Sequence, residues 1–323
     1  MQRREFIAVL GSAAVWPLAA RAQEIGRHYR LGILAPSGRE APPIVGFFDE
    51  LRRVGFIEGK NLTVIPGGFG IRGDKVAELS VALVQAAPDA IACDASAARI
   101  LKNLTSTIPI VAMGEDLLED GLVASLARPG GNITGVSILS PELNGKRQDF
   151  LMEAVPGARR IAALADAKTI QLQRLQQYKD AARARGVELS IITVDGPQDI
   201  VPAIDGAKAS GIQALNVLAT PLFASYQSRG IVLQRIAVTR LPAIYQWPDM
   251  TDDGGLMGYG PSFTELYRQR ARMIVKVLLG TRPADIPVEQ PTRFDFVINL
   301  KTAKTIGLEI PVALVLRADR LIE

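Results

Sequence analysis

Short apolar runs alternate with amphipathic stretches along nearly the whole chain. Residues 29–35, 61–65, 89–93 and 108–113 have the length and content of buried strands. Between them, residues 44–54, 75–86 and 97–106 place apolar side chains at helical spacing, and Gly55 and Pro88 close the first two. Residues 117–126 predict a further short helix. The turn-rich run RPGGNITG, from Arg128 to Gly135, then leads into a strand at 133–139. Its glycines suit a tight turn that delivers the last strand of a first unit.

The pattern then restarts. Helices are predicted at 142–155, 170–185, 198–209 and 222–238, with strands at 160–166, 187–194, 212–218 and 241–246. Strands alternating with helices imply α/β architecture, a doubly wound parallel sheet with helices on both faces. Two successive units of similar size imply two lobes. A glycine-flanked strand at 254–262, a long helix at 263–279 and a strand at 294–300 read as further passages between them. The expected division is 28–139 plus 257–292 for lobe one, and 140–256 plus 293–323 for lobe two. Residues 139–142, 257–261 and 291–294 are the expected segments of a multi-crossover hinge, with a cleft beside it.

Composition adds the class and the compartment. The chain has 323 residues, 48% hydrophobic and 22% charged, enough for two ordinary domains. A net charge of +4, without basic runs, gives no reason to expect a nucleic-acid partner. The lone Cys93 excludes an internal disulfide. The first residues carry Arg3-Arg4, an apolar stretch from Phe6 to Leu18 and then Ala20-Arg21-Ala22. That order is a signal peptide over residues 1–22, of twin-arginine type, with cleavage after Ala22 and a periplasmic product.

Candidate chemistry is sparse. GFGIRG, from Gly68 to Gly73, matches the G-x-G-x-x-G fingerprint and carries the alternative of a nucleotide-dependent enzyme. It follows the second strand, whereas that fingerprint belongs to the first. His28 is the only histidine, there is no G-x-S-x-G, and no Cys/His cluster offers a metal site. No cofactor is expected. Ligands of open parallel sheets sit outside the carboxyl ends of the strands. In lobe one those ends bring Ser37, Asp94, Ser96 and Asp116; in lobe two they bring Thr169, Thr220 and the pair Tyr245 and Trp247. Alternation is expected to put one of that pair in the cleft and the other in the core. Hydroxyls suit a carboxylate, Asp116 or Asp94 an ammonium, and an aromatic ring an apolar side group.

Seven stretches carry a family resemblance. They are GFIEGKNL (55–62), LARPGGNITGVS (126–137), LPAIYQW (241–247), GGLMGYG (254–260), YRQ (267–269), PTRFDFVINLKTAKTIGLEIP (291–311) and RADRLIE (317–323). In this order they resemble the ABC-transporter substrate-binding family of type I periplasmic-binding-protein fold, the group with tryptophan- and phenylalanine-binding members. The resemblance implies a monomeric receptor, not an enzyme. It would hold a small-molecule solute, an amino acid or related zwitterion, in an interlobe cleft for the membrane permease of an ABC importer. A sensor or regulator of the same fold is the other function it allows.

Overall fold

A computed structural model describes residues 27–71, 73, 75–138, 140–168 and 172–323. The signal-peptide reading, Thr169 and Leu139 lie outside the described residues.

The first lobe opens with β1 (Tyr29–Leu34), α1 (Pro42–Arg53), β2 (Leu62–Val64), α2 (Lys75–Gln85), β3 (Ala90–Asp94), α3 (Ala95–Leu104), β4 (Ile110–Gly114) and β5 (Ile133–Ser137). These strands form one parallel sheet in the order β2-β1-β3-β4-β5. Both faces are covered, so the strands are apolar at consecutive positions rather than at every second one. Leu31, Ile33, Ala90 and Ala92 face the cluster that contains α1; Leu34, Ile91 and Cys93 face the one that contains α2 and α3.

The second lobe follows with α4 (Ser140–Ala154), β6 (Arg160–Asp166), α5 (Leu172–Arg183), β7 (Glu188–Val194), α6 (Pro197–Ala209) and β8 (Ala214–Val217). It continues with α7 (Pro221–Ala224), α8 (Tyr226–Thr239), β9 (Ala243–Tyr245), α9 (Asp249–Asp252) and β10 (Met257–Gly260). The chain then returns to lobe one with α10 (Phe263–Leu278), which lies along α1 and over β3, β4 and β5. It ends in lobe two with β11 (Asp295–Asn299), α11 (Leu300–Ile306), α12 (Val312–Val315) and β12 (Arg320–Ile322). The second sheet has the order β12-β11-β10-β9-β8-β6-β7, parallel except for β10 against β11.

Three expectations need correction. Residues 257–260 belong to the second sheet, because β10 pairs with β9 and β11; the crossing to lobe one falls after Gly260. Residues 117–126 form turns rather than a helix: Gly121 stands at φ 65°, and Asp116 caps the turn with bonds from the Leu118 and Glu119 amides. The helix expected over 222–238 is two helices, divided at Ser225, whose hydroxyl accepts from Ser228 N and starts α8.

The RPGGNITG run does join β4 to β5. Gly130 has φ 82°, open to glycine at no steric cost. Gly135 is needed for a different reason: a Cβ there would lie 1.8 Å from the Ala112 carbonyl oxygen of β4. Asn132 fixes the turn by donating to the Thr105 and Ile108 carbonyls at 3.1 and 2.8 Å.

Candidate functional site

The strand order of lobe one reverses between β1 and β3, and crevices form at such reversals, outside the carboxyl ends of the strands. Ser37 follows β1 there. It is buried, and its Oγ has no hydrogen-bond partner among the described residues. Its carbonyl accepts from Gly70 N at 2.9 Å, and Ala35 exchanges bonds with Gly68 O and Ile71 N. Residues 68–71 of the GFGIRG run therefore lie along the end of β1. A Cβ at Gly68 would sit 1.7 Å from Ile33 O, so close backbone approach explains that glycine. The Gly70 and Ile71 amides, which a phosphate would need, are already taken by the Ser37 and Ala35 carbonyls just past β1, which weighs against the nucleotide reading.

The end of β3 is similarly occupied. Asp94 Oδ1 accepts from Ala97 N at 2.9 Å and from Ser96 Oγ at 2.6 Å, an N-cap of α3. Beside it, Arg270 of α10 is buried, donates Nη1 to Cys93 O at 3.1 Å and lies over the Tyr267 ring at 4.3 Å. Burial pushes the Cys93 thiol above its ordinary value, which leaves it without thiolate character. His28 lies at the opposite end of β1, exposed and bonded to Thr63 Oγ1 at 2.6 Å. Among the described residues no group of three or more His, Cys, Asp or Glu could hold a metal.

In lobe two, Thr220 caps α7 by accepting from Phe223 N at 3.3 Å. Tyr245 and Trp247 are both buried and both belong to the same apolar cluster, so the expected split between cleft and core is corrected. Positions two apart on a strand share a side. Trp247 lies against Phe263 of α10, ring centroids 4.5 Å apart and planes tilted by 39°, which makes it an interlobe contact, and its Nε1 has no partner. Burial pushes the Tyr245 hydroxyl above its ordinary value.

Three further residues were not among the expected ones. Gln246 is buried, and both its Oε1 and Nε2 are without partners. Asn216 of β8 donates Nδ2 to Asn144 O at 3.5 Å and leaves its Oδ1 without a partner. Arg147 of α4 is wholly buried and donates to Tyr259 O at 2.7 Å and Asn144 Oδ1 at 2.6 Å. Burial lowers it to about 10, while the Glu115 carboxylate of lobe one acts in the opposite sense. The sequence signal for Gln246 and Asn216 was a single amide inside an otherwise apolar strand run, LPAIYQW and ALNVL. Arg147 gave none, since arginine at helical spacing reads as a solvated face.

Each buried polar atom left unpaired costs about 1–3 kcal/mol. Folded chains keep few of them, and those that remain call for an account such as water or a ligand. Here Ser37 follows β1 in lobe one, while in lobe two Asn216 lies in β8 and Gln246 and Trp247 follow β9; Arg270 Nε of α10 is another.

Two α/β lobes joined by three crossovers define a type I periplasmic-binding-protein-like fold. The chain belongs to the ABC transporter substrate binding protein family, which matches residues 42–322. The family's members are substrate-binding proteins rather than enzymes. The tyrosine-binding protein of Clostridioides difficile (strain R20291) is 26% identical over 274 residues, 82% of this chain and 76% of that protein. Among solved structures, the ABC domain from Streptococcus pneumoniae in complex with L-Trp has a TM-score of 0.78 at 24% identity, over 91% of this chain and 100% of that one. A conserved domain protein from Vibrio cholerae O1 biovar eltor has a TM-score of 0.81 at 22% identity, over 91% and 100%.

Proposed function

We propose that this chain is the exported receptor of an ABC importer, and that it captures an amino acid or related zwitterion between its lobes and hands it to the membrane permease. The observation that carries this reading is the set of buried, unpaired polar atoms at strand ends on both sides of the cleft. The sides also differ in charge. Lobe one brings Asp94, Glu115 and Asp116 to its strand ends; lobe two brings the buried Arg147. A ligand with an ammonium and a carboxylate suits both. The indole of Trp247, against Phe263, gives an apolar side group a surface to rest on. The tyrosine-binding relative and the L-Trp complex support an amino acid over a sugar or nucleotide.

In this reading Ser37 and Trp247 touch the ligand, and Thr220, Asp94, Ser96, Asp116 and Tyr245 shape the walls around it. The receptor acts as a monomer and without nucleic acid. The Arg3-Arg4 segment directs it to the periplasm, where cleavage after Ala22 leaves Gln23 first.

One experiment tests the whole. The native protein is recovered from the periplasmic fraction, its N-terminus sequenced, and its thermal stability measured against amino acids, small amides, sugars and nucleotides. At ligand concentrations about a hundred times Kd the gain is about 2.7 kcal/mol, so a clear rise with an amino acid is expected. A rise only with a sugar or nucleotide removes the amino-acid reading, and an intact Met1 in the cytosol removes export.

A further inference from the structure

Gln246 has no structural task that the fold can account for. It is 1% exposed, and neither end of its carboxamide bonds to the protein. It follows β9 directly, one residue past Tyr245. Asn216 pairs in register with Ile244, whose apolar cluster contains Phe150, Leu151 and Ala154 of α4, and its Nδ2 reaches Asn144 of α4. Asn216 therefore shares one side of the sheet with Arg147, and the backbone of Gln246 runs next to that guanidinium at the strand end. Gly260 stands between them: a Cβ there would lie 2.1 Å from the Gln246 carbonyl oxygen and 3.3 Å from Arg147 Nη2. The missing side chain keeps residue 246 and the guanidinium beside each other. Arg147 Nε and Nη1 are held by Tyr259 O and Asn144 Oδ1, which leaves Nη2 as the end next to Gly260.

A carboxamide free at both ends presents a donor and an acceptor side by side. The head of an α-amino acid presents the complement, an acceptor carboxylate next to a donor ammonium. We infer that Gln246 is the specificity-determining residue for this head group: Nε2 donates to a carboxylate oxygen and Oε1 accepts from the ammonium. The inference rests on the amino-acid reading above and gives it a residue. Arg147 fixes the orientation, because a buried positive charge draws the carboxylate to its own side. Asn216 Oδ1 is a second acceptor, on the ammonium side. A ligand without the carboxylate or without the ammonium uses only one end of Gln246 and leaves the other buried and unpaired, which is a strong basis for rejection.

Calorimetric titration tests this. The ligands are the best-binding L-amino acid of the twenty, its α-amide, its decarboxylated amine and its deaminated acid. The wild-type protein is expected to bind each analogue weaker by about tenfold or more, one hydrogen bond to a charged group each. Gln246→Leu is expected to lose about ten- to a hundredfold for the parent amino acid and most of its discrimination among the four. Gln246→Glu is nearly isosteric, so it guards against a folding failure. It keeps the acceptor and repels carboxylate, so it should shift preference toward the amine. A thermal melt confirms that each variant is folded. Wild-type affinity and discrimination in folded Gln246→Leu would overturn the inference while leaving the amino-acid reading intact. If the wild type binds no amino acid, both the reading and the head-group pairing fail.

Discussion

The two lobes treat the polar residues at their strand ends differently. In lobe one nearly all of them serve the backbone: Asp94 caps α3, Ser96 donates to Asp94, and Asp116 caps the turn behind β4. In lobe two Thr220 caps α7 in the same way, but Gln246, Asn216 Oδ1 and Trp247 Nε1 serve nothing internal. Capping residues and ligand residues are drawn from the same small set, Ser, Thr, Asp and Asn, so residue type at a strand end does not separate them. What separates them is whether a local amide already takes the oxygen. By that measure lobe two keeps more uncommitted polar groups than lobe one, where Ser37 Oγ is the main exception, and the proposed function makes lobe two the discriminating half.

The largest effect that would sharpen this comparison is expected at Gly135. Gly135→Ala drives a Cβ to 1.8 Å from Ala112 O, between β4 and the last strand of the lobe-one sheet. Overpacking of that kind typically costs about 1–3 kcal/mol, and a backbone clash belongs at the upper end or beyond. Chemical denaturation should show lobe one strongly destabilised, because the clash lies between β4 and β5 and touches nothing in lobe two. A melt unchanged from wild type would mean that β4 and β5 separate freely.

Asp94→Ala comes next. Loss of an N-cap costs about 0.5–2 kcal/mol of stability. Ligand affinity should stay within about twofold, less than 0.5 kcal/mol on the affinity scale. Asp94→Asn, which retains a capping oxygen, should recover most of the stability. A loss of affinity of tenfold or more in both variants, with stability unchanged, would make lobe one a recognizing half as well and break the comparison.

The smallest effect concerns the brace of lobe one rather than its rim. Glu50 of α1 is buried, accepts from Arg53 at 2.7 Å and meets Arg272 of α10 at 3.3 Å. The Arg53 guanidinium, helped by Arg272, holds its carboxyl below the usual glutamate value against the effect of burial. A lowered carboxyl contributes stability that is fully present above the unfolded-state value and is lost as the pH falls through the folded-state one. The melting temperature should drop as pH is lowered below about 4.5, the ordinary value, and Glu50→Gln should make that drop shallower. Equal slopes in the two proteins would show that the brace carries no pH dependence.

Most of the architecture was legible because doubly wound sheets write themselves plainly: strands buried on both faces become continuous apolar runs, and their helices stop at Gly or Pro. The errors fell where one signal had two meanings. Glycines around 257–260 look like a hinge, yet Gly260 is there to let β10 pass the Gln246 carbonyl. Residues 117–126 have helical content, but Gly121 turns the chain and Asp116 supports the turn. The site was less legible than the fold. Strand ends pointed to the neighbourhood of Ser37 and Trp247, whose polar atoms are buried without partners. Gln246 showed only as an amide in an apolar run, and Arg147 not at all, because a side chain's lack of a partner and the burial of a charge on a helix are properties of packing.

The late return of α10 has a consequence for vectorial synthesis. About 210 residues separate the end of α1 from the start of α10, which at roughly 5–20 residues per second amounts to some 10–40 s on the ribosome. Through that interval the nascent first lobe has its strands and most of its helices, but Phe47, Leu51 and Met113 lack the cover that Leu266, Ile274 and their neighbours later provide. The second lobe has by then almost finished emerging. The half made first is thus the half completed last, waiting for a helix encoded near the far end of the chain.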